Sequence, residues 1–140
     1  MIFKNYQSQN QKQITPLIGV LLLVISIVLL VTTGPIGFIY GLIVNLFSTW
    51  TRNVGEYFLK IATSIDQLGN VIMQHLFNLL LIKRTGYKFG NRKETISSAI
   101  GKNEEQKTLS GLGKFINSIL NMIDRNHSLN SIDYHVEEKL

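Results

Sequence analysis

A long uncharged run near the start of the chain limits what this sequence can fold into more than any other feature. The chain has 14 Lys and Arg and nine Asp and Glu, yet none of them lies between Gln13 and Thr51, and that run contains no His. Charged residues make up 16% of the whole chain, so random placement does not explain the gap. A surface in contact with water normally carries charge, and the run therefore predicts an apolar environment.

The first part of the run has the length and composition of a membrane span. Residues Pro16 to Thr33 read PLIGVLLLVISIVLLVTT, with Leu, Ile or Val at 13 of 18 positions. As a helix they extend over about 27 Å, close to the thickness of a bilayer's hydrocarbon core. The aliphatic side chains favour insertion by roughly 4 to 8 kcal/mol. Pro16 stands at the first turn, where a helix tolerates proline, with Thr15 as a candidate N-cap.

Gly34 and Pro35 then divide the apolar run, because proline disfavours helical geometry in the preceding residue. The second segment, Ile36 to Trp50, is short for a full span. Two interpretations follow: a helical hairpin with spans 16–33 and 36–50, or one span followed by a helix on the membrane surface. We favour the hairpin, since Lys or Arg flanks both ends of the run, and the positive-inside rule then places both termini in the cytoplasm.

A cleaved signal peptide is the alternative for the first span, because Lys4 and Lys12 precede an apolar core. No site of small residues suited to cleavage follows that core. The predicted organisation is therefore all-α. It comprises a polar segment 1–14, a transmembrane region 15–50, an amphipathic helix 51–82 and a basic linker with a small helical module and polar tail, 83–140.

The region after the apolar run combines a helical pattern with positive charge. From Val54 to Ile82 apolar residues recur every three or four positions, which predicts one long amphipathic helix. Residues 51–102 carry eight basic and three acidic side chains. Basic residues near an anionic bilayer surface favour binding to it, and aromatic rings suit the headgroup layer. The predicted lipid-contacting residues are Lys83, Arg84, Tyr87, Lys88, Phe89, Arg92 and Lys93. Nucleic acid is the less favoured partner for this segment.

Two further helices are predicted beyond the basic segment. Asn91 and Glu94 have the spacing of a capping box, which would start a short helix that Gly101 ends. The last helix is predicted from Thr108 or Ser110 to Asp124.

Several polar residues of this half resemble a family of small tailed-bacteriophage and prophage proteins. The likeness covers roughly Ile65 to Ile132, and its distinctive part is an E-T-I-S-S segment followed by a helix that ends in D-x-x-H. The matching positions are Asp66, Asn70, Asn91, Glu94, Thr95, Ser97, Ser98, Gly101, Asp124 and His127. Ala99 and Ser128 depart from the family pattern, which often has Arg and Cys at these places. The resemblance implies a phage origin and a role in infection, and it implies no activity.

The same residues include the types that a hydrolase or a metal site would use. Ser97 or Ser98, with His127 and Asp124 or Asp133, could form a nucleophile, base and orienting group. Metal ligands could come from Asp66, Asp124, His127, Asp133 and His135. No nucleophile elbow or H-E-x-x-H spacing accompanies them. We therefore expect no enzyme activity, cofactor or metal, and we expect the motif residues to fasten helices together.

These expectations combine into a membrane protein of the host inner membrane, with a holin-like or lysis-accessory role. The alternatives are a structural membrane protein of a virion or ejection apparatus and a membrane-anchored hydrolase. Candidate partners are the lipid bilayer, another copy of the chain and other phage membrane proteins.

Overall fold

The computed structural model describes residues 15–47 and 50–136, and it divides into two units, residues 1–54 and 55–140. The described residues are all-helical and contain no strand. The first unit contains helix α1, Pro16–Phe47. Helix α2, Trp50–Ile72, begins at the end of the first unit and lies mostly in the second.

Helix α1 is one continuous helix of 32 residues with Pro35 inside it. The predicted break at Gly34 and Pro35 is therefore absent, and the structure does not show the helical hairpin. Pro35 has no N–H, so the carbonyl of Val31, four residues before it, loses its helical donor. The hydroxyls of Thr32 and Thr33, just before the proline, donate to the carbonyls of Val28 and Leu29 at 2.7 Å each.

The amphipathic region is helical as predicted, but it forms two helices. Helix α2 ends at Ile72, and α3, Gln74–Leu80, follows after a single turn residue, Met73. Backbone hydrogen bonds continue through this position, because Met73 donates to the Gly69 carbonyl and accepts from Phe77, both at 2.9 Å.

A small core lies beyond α3 and is closed by three short helices. These are α4, Ile96–Glu105, α5, Gly111–Ile123, and α6, His127–Asn130. A single antiparallel bridge joins Ile82 to Leu109 and brings the start of α5 against the end of α3. The buried apolar side chains are Leu81, Ile82, Tyr87, Phe89, Ala99, Ile100 and Leu109. Most of them lie in or near the connections, so packing holds the loops of this unit as well as its helices.

The helix ends confirm one prediction and correct two. Helix α5 has Ser110 as its N-cap and Asp124 as its C-cap, as the pattern predicted. The capping box at Asn91 is wrong, because the N-cap of α4 is Thr95, whose hydroxyl accepts from the Ser98 N–H at 3.0 Å. Gly101 does not end α4, which continues to Glu105.

Gly101 lies inside α4 for a reason of packing. A Cβ atom at this position would collide with the backbone carbonyl of Ser128 at the start of α6. The missing side chain therefore lets α4 and α6 approach closely, a use of glycine at close helix contacts rather than at a helix end.

Candidate functional site

A buried ion pair lies at the centre of the second unit. The Lys102 Nζ lies 2.6 Å from Glu94 Oε1, and the two side chains are 9% and 0% exposed. The Tyr87 hydroxyl donates to the other carboxylate oxygen at 2.7 Å, and the Ser98 hydroxyl donates to Oε1 at 2.7 Å. Glu94, Ser98 and Lys102 are spaced by four residues, so that they share one side of α4 and the turn before it. Every oxygen of the carboxylate is thereby hydrogen-bonded, as a buried charge requires.

The same pair fastens the segment after α6. The Lys102 ammonium donates to the Val136 carbonyl at 2.7 Å and lies 4.5 Å from the centre of the Tyr87 ring. The Ser98 hydroxyl accepts from the Asp133 N–H at 3.0 Å. Residues around 133–136 are therefore held by the network that surrounds Glu94.

Asp66 and Asn70 attach α2 to the segment that precedes α4. The Asp66 carboxylate accepts from the backbone N–H groups of Ile96 and Ser97, at 3.3 and 3.4 Å, and from the Ser97 hydroxyl at 3.1 Å. It therefore caps α4 from another helix. The fully buried Asn70 amide donates to the carbonyls of Asn91 and Glu94, at 3.1 and 2.8 Å. These contacts agree with the expectation that motif residues fasten helices together.

A groove of about 380 Å³ lies beside this junction and collects several candidate residues from the sequence. Its lining includes Asp66, Ser97, His127, Ser131 and Asp133, and Leu59 and Ala62 of α2 form an apolar side. Asp124 and His135 do not line it. The structure thus brings together part of the set that a hydrolase would use.

The contacts inside the groove are those of helix fastening. Ser97 donates to Asp66, and Ser98 is buried and donates to Glu94, so each candidate nucleophile is hydrogen-bonded to a carboxylate. The His127 Nδ1 lies 3.4 Å from Asp124 Oδ2 in an exposed pair. Among the residues that the structure describes, no group of three or more His, Cys, Asp or Glu could hold a metal ion.

The prediction that residues 83–93 contact lipid is wrong for the two aromatic residues of that segment. Tyr87 and Phe89 are 8% and 3% exposed, so they cannot enter a headgroup layer as predicted. Phe89 packs edge-on against Phe77, with ring centres 5.4 Å apart. The alternation of basic and aromatic residues arises because the aromatic side chains enter the core while the basic ones stay outside. The exposed members of the predicted set are Lys83, Arg84, Lys88, Arg92 and Lys93.

Sequence reasoning missed Lys102 as a functional or structural group. No role was predicted for Lys102, whereas the structure buries the lysine beside Glu94. The sequence does contain a pattern that indicates this pair. Glu94 and Lys102 are eight positions apart, about two helical turns, and Ser98 lies midway between them.

Comparison of the chain with protein-family models, with curated proteins and with solved structures finds no match. The resemblance to phage proteins therefore stays a prediction from the motif residues.

Proposed function

We propose that this protein is anchored in a membrane by α1 and that its second unit works at the bilayer surface as a non-enzymatic helical module. The observation that carries the proposal is the surface of α1. The helix contains no charged residue and no buried residue along its 32 positions. Among the described residues it is the one helix long and apolar enough to cross a membrane.

The polar side chains of α1 support the same proposal. The hydroxyls of Ser26, Thr32 and Thr33 and the amide of Asn45 all donate to carbonyls of their own helix, three or four residues back. Lipid offers no hydrogen-bond partners, so a helix in the hydrocarbon layer must satisfy its polar groups internally.

A soluble core helix and a signal peptide both describe α1 less well than a membrane span does. The core helix of a soluble protein is mostly buried, whereas none of α1 is. The apolar core of a signal peptide has about 7 to 15 residues, about half the length of α1 or less. At about 1.5 Å per residue, α1 extends over about 48 Å, enough to cross the hydrocarbon core and enter both interfaces.

The second unit carries features suited to a bilayer surface. Helix α5 exposes a stripe of large apolar side chains, in which Met122 and Ile123 are 85% and 80% exposed. The other members of the stripe are Leu112, Phe115 and Ile119. An amphipathic helix of this kind lies in the interface with its apolar face toward the acyl chains. The exposed cations of residues 83–93 would add attraction to anionic lipid.

Anchoring is tested by placing charge in the N-terminal half of α1, which is its most aliphatic part. Each lysine at the centre of a span costs about 2.5 to 3.5 kcal/mol, so Ile25→Lys with Val28→Lys offsets most of the favourable insertion energy of residues 16–33. We expect the membrane-bound fraction to fall severalfold. The pair Ile25→Leu and Val28→Leu keeps the apolar character and should leave the fraction unchanged. An unchanged fraction in the lysine variant would contradict the proposal.

Within this proposal, we favour a holin-like or lysis-accessory role at the host inner membrane, because the chain is small, has a candidate span and carries basic residues after it. Its test is inducible expression in a bacterial host, with membrane potential followed over time. A sudden loss of potential supports a lysis role, and its absence counts against one. A virion component would instead be detected by mass spectrometry of purified particles.

A membrane-anchored hydrolase is the second candidate, because Ser97, His127 and Asp133 line the same groove. Hydrolysis of ester substrates by the purified chain, lost in Ser97→Ala and His127→Ala while stability is kept, would favour it.

A further inference from the structure

A second groove, of about 480 Å³, lies where α4 meets α5, and three of the residues that line it have a buried side-chain oxygen without a partner. The oxygens are Glu104 Oε2, Asn117 Oδ1 and Asn121 Oδ1, and all three residues line the groove. Asn117 is only 6% exposed. Asn117 and Asn121 are one helical turn apart on α5, so both face the same side of that helix.

Unpaired buried acceptors are costly, which makes these three informative. A buried oxygen without a donor loses about 1 to 3 kcal/mol relative to water, and native structures contain few such atoms. A primary ammonium group donates three hydrogen bonds and carries a positive charge that suits the Glu104 carboxylate.

The other charged residues of the groove indicate which second group the ligand carries beside its ammonium. Three lysines line it, Lys83, Lys107 and Lys114, against the single carboxylate of Glu104. The Lys83 ammonium donates to the Lys107 carbonyl at 3.1 Å, which fixes its position across the turn between α4 and α5. A bare divalent cation is disfavoured beside three positive charges and needs about six oxygen ligands. A phosphate group suits the lysines.

We infer that this groove binds a zwitterionic phosphoester with a primary ammonium, the chemistry of phosphoethanolamine. The ammonium donates to Glu104, Asn117 and Asn121, and the phosphate contacts the lysines. The ligand is either a soluble phosphoester or the headgroup of a membrane lipid. The headgroup as source depends on the proposed membrane function, whereas the binding chemistry does not.

The test compares two probes that differ only at the nitrogen. The full chain, purified in a maltoside detergent, is titrated by calorimetry with phosphoethanolamine and with phosphocholine. Phosphocholine keeps the phosphate and the charge but has no N–H donors. We expect saturable binding of phosphoethanolamine, with phosphocholine weaker by about tenfold or more, since hydrogen bonds to charged groups are each worth about 1.5 to 3 kcal/mol.

Substitutions in the groove test the ammonium contacts and the phosphate contacts separately. Asn117→Leu with Asn121→Leu removes unpaired polar atoms and should preserve the fold while reducing phosphoethanolamine affinity about tenfold or more. Asn130→Leu, an exposed asparagine on α6, is the matched control and should bind normally. Lys114→Gln should weaken both probes together. Glu104→Gln should weaken phosphoethanolamine more than phosphocholine, because it removes a charge attraction that both probes share and a hydrogen bond that only phosphoethanolamine makes.

The source is identified by competition in lipid nanodiscs. If the headgroup is the ligand, phosphatidylethanolamine nanodiscs will block the binding of soluble phosphoethanolamine and phosphatidylcholine nanodiscs will not. If soluble phosphoethanolamine binds equally well in both kinds of nanodisc, the ligand is a soluble phosphoester. Absence of saturable binding, or equal affinity for the two soluble probes, would overturn the inference. If the chain binds phosphoethanolamine but is not anchored in membranes, the proposed function is wrong and the binding site stands.

Discussion

At the scale of single residues, the second unit depends on a charge pair, Glu94 and Lys102, that is largely removed from water. Removing a carboxylate or ammonium from water costs several kcal/mol, and the cost is recovered only when every remaining lone pair and proton is bonded. Glu94 meets this condition through Tyr87, Ser98 and Lys102. Loss of either Glu94 or Lys102 leaves the other charged and buried, so a substitution at one position is expected to require a substitution at the other.

The first prediction is that Glu94→Ala lowers the free energy of unfolding by about 3 to 5 kcal/mol, because Lys102 is left buried without its counter-charge. Near-ultraviolet circular dichroism of the full chain in detergent measures this, since the signal reports the packing of Tyr87. Arg92→Ala, an exposed change two residues away, should stay within about 0.5 kcal/mol of the unchanged protein. The double variant Glu94→Leu with Lys102→Met should recover part of the loss. Equal stability of Glu94→Ala and Arg92→Ala would contradict the account.

The second prediction distinguishes fastening from catalysis in the groove beside α4. Asp66→Ala should destabilise the protein by about 0.5 to 2 kcal/mol, the usual cost of losing a helix cap, because three donors of α4 lose their acceptor. Ser97→Ala removes only one of the three contacts and should cost less. In cells, any loss of function should then follow the loss of stability. Complete loss of function in Ser97→Ala at unchanged stability would instead favour the hydrolase.

Prediction from sequence was least successful for side chains whose environment depends on the tertiary fold. Tyr87 and Phe89 have the composition of membrane-interface residues, and nothing local shows that they turn inward. Lys102 follows a glycine and looks like a surface residue until Glu94 is placed beside it. Asp66 and Asn70 were expected to fasten helices together; in the structure Asp66 accepts from the first turn of α4, and Asn70 donates to carbonyls of the segment before it.

At the scale of secondary structure, the packing of α4 on α6 leads to the third prediction. Gly101→Ala should destabilise the protein by about 1 to 3 kcal/mol, since its Cβ meets the Ser128 carbonyl and the backbone must shift. Gly111→Ala, at the first position of α5 with open space around it, should be neutral or slightly stabilising. Thermal unfolding of the two variants compares them directly. A similar effect at both positions would show that the close approach of α4 and α6 is not needed.

Helix type and order followed from the sequence better than helix ends did. Apolar periodicity predicted α5 and its caps correctly, because Ser110 and Asp124 flank a clear pattern. The apolar periodicity of residues 54–82 predicted one helix, whereas the structure has two, α2 and α3. Gly34 and Pro35 predicted a turn, and this prediction failed because α1 continues as a helix through Pro35.

The continuity of α1 supplies the fourth prediction. If α1 spans a membrane as one helix, the two ends of the chain lie on opposite sides, whereas a hairpin would place them on the same side. Topology reporters fused near Phe3 and after Leu140 should therefore give opposite readings. Agreement between the two reporters would restore the hairpin.

At the scale of the whole molecule, the two units have opposite surface chemistry in one chain. The first presents aliphatic side chains all around α1, and the second buries a small core and exposes cations and an apolar stripe on α5. A soluble monomer seldom leaves so large an apolar surface open to water. The arrangement is accounted for if lipid surrounds α1 and the bilayer surface covers part of the second unit.

Membrane anchoring by α1 is tested most directly by extracting membranes with alkaline carbonate, which releases proteins held at the surface and leaves those that span the bilayer. The full-length chain is predicted to stay in the pellet, because the aliphatic side chains of α1 remain in hydrocarbon when surface contacts are lost. Electrophoretic size should show that α1 has not been removed. Recovery of the full-length chain in the soluble fraction would contradict membrane anchoring by α1.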